Sequence, residues 1–449
     1  MGTAEATVAC QEPSERLPLL CQPSPSTTYL SQEEVVKQAR AAPWQGLRMA
    51  LLGLVGALVA CMLATALVLL LTMPRPAPPL TWWQKASFYH LPPTSFPDSD
   101  GDRHGDLEGV RHLLDQLVEL RIQALVLGPV LEGDGANLSR ICSAHGYLEQ
   151  LRALVTDGHK QGIRILLELP TWAEELDPVA EDNGTGVYLK EALQFWQAQG
   201  VNGFLVAKDP PWRLDAVLNV WSELGRQRGT DQGEERVLMV WDQSETCNIS
   251  HRVPSRVILT CTLPGSERNL TAGALTQRVE AALQNPGGSW PGWTVAGGLP
   301  LAADLGETLG VLLLSLPGTP LLQGGAGSPI PLGNTMKPGT NGHPLTTLYR
   351  SLLPLHANSF ALQGASFTPL PLTGPSEDVF VFLRPGTCSG ILVVLNLGSQ
   401  THQLNLSQPS FPNHARVLFS SRPERQSEVN MEEVRLVSHQ ALFLKVHSR

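Results

Sequence analysis

Between Ser95 and Gly109 the chain reads Ser-Phe-Pro-Asp-Ser-Asp-Gly-Asp-Arg-His-Gly-Asp-Leu-Glu-Gly. Asp98, Asp100 and Asp102 stand at alternate positions, and Asp106 follows. Carboxylates spaced this way gather several oxygens about one point. A hard cation such as Ca²⁺ takes about six to eight oxygens, often with a backbone carbonyl among them, and His104 is placed to supply one. The competing reading is a solvated acidic turn, because Asp-Gly steps favour turns by themselves. Other metal chemistry has no support: no CxxC or Cys/His spacing suggests zinc.

The segments around this loop alternate in period. Ala124–Pro129, Ile163–Leu169, Gly203–Val206 and Val237–Val240 are short apolar runs of the kind found in buried strands. Between them apolar residues recur at helical spacing: Leu107, Val110, Leu113, Leu114, Leu117 and Val118, then stretches within Tyr147–Lys160, Val187–Ala198, Leu214–Leu224 and Leu275–Leu283. Strand and helix in alternation imply βαβ units and a parallel sheet. The space from 87 to 357 holds about eight such units, which predicts a (β/α)₈ barrel. After His356 the helices cease. Val379–Leu383, Gly390–Leu397, Gln403–Leu406, Val417–Phe419 and Ala441–Val446 predict a small antiparallel β domain over 358–449.

Ahead of the barrel, Met49–Met73 is a run of 25 residues without a charge. About 20 apolar residues suffice for a helix to cross a bilayer, so one transmembrane helix is expected there. It divides the chain into a Ser/Pro/Thr-rich tail (1–48), the span (49–73), a linker (74–86) and the two folded domains. Within the tail, Ser31 and Glu34 form a capping box that predicts a short helix. Lys37, Arg40 and Arg48 flank the near side of the span, Arg75 and Lys85 the far side, a weak positive-inside vote. The sequons at Asn137, Asn183, Asn248, Asn269 and Asn405 all follow the span and none precedes it. Both signals predict a type II protein with its C-terminal part outside the cell. Cys142, Cys247, Cys261 and Cys388 then lie where disulfides form, and three pairings remain open among them. The net charge of −9 leaves no basic excess for nucleic acid. The apolar content of 42% excludes wholesale disorder.

The segment Ser95–Gly109 resembles the sequence after the first barrel strand of α-amylase-family glucosidases. Leu316-Pro-Gly-Thr-Pro and Leu392-Val-Val-Leu-Asn fit the same family. The resemblance implies calcium at the aspartate loop, as in the glucosidases that carry it. It also implies where catalysis would reside. A retaining glycosidase needs a nucleophile and an acid, two carboxylates about 5–5.5 Å apart. The family's Gly-Phe-Arg-x-Asp stands here as Gly203-Phe-Leu-Val-Ala, so the nucleophile position is Ala207, with Asp209 two residues late. The acid should end the fifth strand, and Val237–Trp241 holds no Glu. The family's His-Asp pair falls on Gly298 and Leu299, and its Asn-His pair falls near Trp172, where neither residue occurs. No catalytic residue is therefore expected.

Within this family the chain is most similar to the heavy chains of heteromeric amino-acid transporters. Leu30-Ser-Gln-Glu-Glu-Val-Val-Lys, Pro43-Trp44, Trp82-Trp83 and the run into Leu125-Val-Leu-Gly-Pro carry this likeness. So does the short step from Leu169 to Phe204, which leaves no room for the domain that hydrolases insert there. The resemblance implies an accessory subunit of the plasma membrane that binds a multi-pass transporter light chain and supports its surface expression. Those heavy chains carry a cysteine just beyond the span that bonds the light chain. Pro76 stands at that position, so the expected pairing is non-covalent. A transporter-independent adhesion or signalling glycoprotein is the alternative.

Overall fold

A computed structural model describes residues 31–40, 42–72, 79–132, 138–170, 184–209, 211–227, 235–244, 247, 253–264, 270–284, 287–295, 303–324, 344–370, 372, 377–386, 389–422 and 427–447. The chain divides into two units, Met1–Pro78 and Pro79–Arg449.

Among the described residues the first unit contains two helices. α1 (Gln32–Ala39) begins after Ser31, whose N–H donates to the Glu34 carboxylate at 3.1 Å, half of the expected capping box. α2 (Ala42–Thr72) is 31 residues long and starts seven residues before the apolar run. Pro43 sits in its first turn, where a missing N–H costs nothing. From Pro43 to Leu71 this helix is long and apolar enough to cross a membrane, and none of its most apolar stretch is covered within the chain.

The second unit opens with α3 (Trp82–Lys85), whose start is fixed by Gln84 accepting from the Thr81 N–H at 2.8 Å. Eight parallel strands follow and close on themselves: β1 (Phe88–Leu91), β2 (Ala124–Leu127), β3 (Arg164–Glu168), β4 (Gly203–Ala207), β5 (Val237–Asp242), β6 (Val257–Leu263), β7 (Trp290–Val295) and β8 (Thr319–Gln323). Phe88 pairs with Ala124 on one side and Leu321 on the other, which seals the barrel. Around it lie α4 (Leu107–Arg111), α5 (Leu114–Glu119), α6 (Leu148–Lys160), α7 (Gly184–Ala198), α8 (Pro211–Gln227), α9 (Ala272–Leu283), α10 (Ala303–Ser315) and α11 (Pro344–Asn358).

The apolar stripe from Leu107 to Val118 predicted one helix, and the chain makes two, broken at His112–Leu113. Leu107, Val110, Leu113, Leu114 and Leu117 are buried in the two pieces, whereas Val118 at the end of the stripe is exposed. Between β5 and β6 there is no helix among the described residues. A disulfide, Cys247–Cys261, ties that connection to β6. It settles one of the three open pairings. Cys142 is free, and Cys388 lies outside the described residues. β3 ends at Glu168 and α7 begins at Gly184, so the expected absence of an inserted domain is seen in the short step between them.

After α11 and the short α12 (Phe360–Gln363) the chain turns to antiparallel strands: β9 (Thr368–Pro369), β10 (Val379–Arg384), β11 (Gly390–Asn396), β12 (His402–Leu404), β13 (His414–Ser420), β14 (Glu428–Asn430), β15 (Val434–Leu436) and β16 (Ala441–Val446). Six form one sheet, ordered β14-β13-β16-β11-β10-β9, and β12 pairs with β15. The barrel holds this domain through polar links as well as apolar packing. Thr308 on α10 donates to the His439 carbonyl at 2.8 Å, and Glu307 pairs with Arg422 at 3.6 Å.

Candidate functional sites at the barrel mouth and the aspartate loop

Successive residues of a barrel strand point alternately inward and outward, so each strand contributes every second side chain to the interior. The lower interior is apolar: Phe88, Ala124, Val126, Leu166, Leu205, Met239, Ile258 and Leu321 form one buried cluster, with Trp83 packed beneath them. Two residues further along, the same alternation places His90, Glu168, Ala207, Trp241, Thr294 and Gln323 at the C-terminal end. That is the end where barrel enzymes build their active sites.

These groups occupy one another. His90 Nε2 lies 2.7 Å from a Glu168 oxygen, and its Nδ1 lies 2.8 Å from Gln323 Oε1. Gln323 Nε2 donates to Thr294 Oγ1 at 3.0 Å. The Trp241 ring stands edge-on to His90 at 5.6 Å, and its Nε1 donates to Thr262 Oγ1 at 3.0 Å. Beside them Lys208, just past β4, meets Asp242, the last residue of β5, at 2.7 Å. The Asp242 side chain is wholly buried, and its other oxygen accepts from the Ser244 N–H at 2.8 Å.

Ala207, which the family resemblance sets at the nucleophile position, pairs with Trp241 across the β4–β5 seam, a methyl group beside an indole. Asp209 lies beyond the end of β4 and is exposed. The sequence reading of β5 stopped at Trp241, one residue short of a carboxylate. Asp242 and Glu168 were legible as the residues closing their strands, and alternation from Phe88 would have pointed to His90. Each of the two carboxylates already faces a basic side chain. The stretches around Trp172, Gly298 and Leu299 lie outside the described residues.

The aspartate loop precedes α4. Oxygens of Asp98, Asp100 and Asp106 lie within 4.8 Å of one another. Asp102 is outside that group. Its carboxylate accepts from the His104 N–H at 2.7 Å and stands 3.7 Å from the His104 ring. Asp98 accepts from the N–H groups of Gly101 at 2.6 Å and Arg103 at 2.8 Å, and these bonds hold its pKa below the usual carboxylate value. Asp106 is the N-cap of α4. Partial burial would raise its pKa, but donation from Gly109 and Ser99 outweighs that and lowers it. The loop therefore favours the ionised form of Asp98 and Asp106 and converges them with Asp100. That donor set fits a hard cation, and the internal hydrogen bonds equally account for the loop's shape.

Of the sequons, Asn405 is exposed, and its Oδ1 accepts from the Ser407 N–H at 2.9 Å. Asn137, Asn183, Asn248 and Asn269 lie outside the described residues, as does Pro76.

Residues 90–171 match the family of the α-amylase catalytic domain, and residues 22–89 match the N-terminal region of solute carrier family 3 member 2. The amino acid transporter heavy chain SLC3A2 of Oryctolagus cuniculus is 27% identical over 93% of this chain and 87% of its own length. The protein of the same name in Mus musculus is 26% identical, again over 93% of this chain. Maltase A2 of Drosophila melanogaster is 29% identical over 36% of this chain and 31% of its own length. Among solved structures, the α-glucosyl transfer enzyme XgtA superposes with a TM-score of 0.62 at 14% identity, covering 82% of this chain and all of that one. The glucosidase fold is thus shared with enzymes, and the near-full-length likeness is to transporter heavy chains.

Proposed function

We propose that this chain is the non-catalytic heavy subunit of an amino-acid transporter, a type II plasma-membrane glycoprotein that binds a multi-pass light chain and supports its surface expression. The likeness to proteins named as transporter heavy chains, running over 93% of the chain, carries this reading. One apolar helix cannot enclose a solute path, so the path belongs to the partner. The barrel mouth supports the non-catalytic part: Ala207 has no group to attack an anomeric carbon, and Glu168 and Asp242 are each held by a basic neighbour. With Pro76 in place of the usual cysteine, the subunits associate without a covalent bond. Affinity purification from mild detergent should bring down a multi-pass transporter, with no reducible heterodimer band on a non-reducing gel. Recovery of the chain alone, with amino-acid uptake unchanged on its deletion, would remove the reading and favour an adhesion role.

The same reading includes a structural Ca²⁺ held by Asp98, Asp100 and Asp106, which braces the loop and supplies no reaction chemistry. Added Ca²⁺ should raise the melting temperature, and Asp98→Asn should abolish the rise. An equal melting temperature in Ca²⁺ and chelator would eliminate the ion.

A further inference from the structure

The opposite end of the barrel has a cavity of about 250 Å³ between the end of α7, the end of α8 and the starts of β5 and β6. Three arginines line it: Arg226 from the last turn of α8, Arg236 just before β5, and Arg256 just before β6. Among the described residues no lining residue is acidic and none of the three arginines meets a carboxylate. The chain carries 41 acidic residues against 32 basic ones, so carboxylates are not scarce. Three guanidinium groups line one concavity, and an anion seated there is attracted by each of them. We propose that this cavity binds a small oxoanion ligand, a phosphate or sulfate monoester.

The arginines are prepared for this. Arg236 Nη2 donates to the Gln197 carbonyl at 3.0 Å, which orients its planar fork and leaves further donors for an oxoanion. Gln197 is itself buried, so this anchor is rigid. Arg256 adopts φ +67°, and its carbonyl accepts from the Leu238 N–H at 3.0 Å, which locks the turn that presents it. Trp221 and Leu224 are buried and supply an apolar wall for the organic part of a monoester. The volume equals about eight waters of liquid, enough for a phosphate and a small ring and too little for a polymer. A polyanion or a membrane surface would instead suit a flat basic stripe.

The test uses the full-length protein in detergent micelles at constant ionic strength. Inorganic phosphate, phenyl phosphate and phosphatidylserine vesicles are titrated separately and binding is read by calorimetry. Saturable binding of both soluble anions is expected, with phenyl phosphate the tighter. Arg236→Gln and Arg256→Gly should each weaken it by about tenfold or more. Gly suits the left-handed backbone at 256, so that variant should keep the unliganded melting temperature, which separates lost binding from lost folding. Absence of saturable binding, or binding undiminished in both variants, overturns the proposal. Vesicle binding that phenyl phosphate does not displace and Arg256→Gly does not weaken also overturns it, since the charge would then act as a diffuse surface.

Discussion

At the scale of single residues, the side chains that matter most are buried polar groups with few partners. His356 on α11 is wholly buried, neither ring nitrogen has a hydrogen-bond partner among the described residues, and burial with the nearby Arg384 charge pushes its pKa down to about 4. Arg384 is buried as well and donates to the carbonyls of Ala361 and Leu362, and burial pulls its pKa to about 9. The sign for His356 follows from linkage. The folded state holds it neutral while the unfolded chain protonates it near the ordinary value of about 6.5. Its contribution is therefore complete above pH about 6.5 and is lost as pH falls toward 4, by roughly 3 kcal/mol in all. Urea melts at a series of pH values should show this decline, and His356→Leu should flatten it. An identical slope in the variant would show that His356 does not titrate differently on unfolding. Little of this was legible beforehand: a histidine in an apolar helix gives no sign of whether a cation lies beside it. The aspartates of the 98–106 loop, by contrast, announced themselves by spacing alone.

At the scale of elements, the β4–β5 seam is the informative one. Gly203 begins β4, and a Cβ there would strike the Val237 carbonyl, so only glycine lets the two strands approach. At the other end of the seam Lys208 and Asp242 clasp, with the aspartate wholly buried. Lys208→Met leaves that carboxylate buried without its cation, and breaking such a pair costs about 3 kcal/mol. Thermal and urea melts should register the loss, and Lys208→Met with Asp242→Leu should recover much of it. A single variant as stable as the parent would mean that the pair fastens nothing. Periodicity located β3, β4 and the helices α6 to α9, because a buried face imposes its repeat on the sequence. It missed the break between α4 and α5, since buried residues keep helical spacing on both sides of it. It also could not show that a disulfide stands in the connection between β5 and β6.

At the scale of the whole molecule, orientation across a membrane decides which chemistry each part meets. Asn405 is exposed in the antiparallel domain, with its sequon turn closed by Ser407 donating to Asn405. In the proposed type II arrangement it faces the glycosylating compartment. Removal of N-glycans should increase the mobility of the expressed chain on a gel, and Asn405→Gln should remove one glycan's worth of that shift. A chain that carries no glycan at any sequon would place this domain on the cytosolic side.

The linear chain already carries the apolar helix, the alternation of strands and helices, the change to antiparallel strands near residue 358, and the identity of Ala207 at the end of β4. All of these are local: hydrophobic period, turn chemistry and single residue types survive in a linear string. Tertiary structure alone decided that His90 meets Glu168 and Gln323, that Lys208 neutralises Asp242, that Cys247 bonds Cys261, and that Arg226, Arg236 and Arg256 share one cavity. His90 and Gln323 are separated by 233 residues in the chain and meet because closing the barrel sets β1 beside β8. Such encounters are fixed by strand register and closure, and no window along the chain contains them.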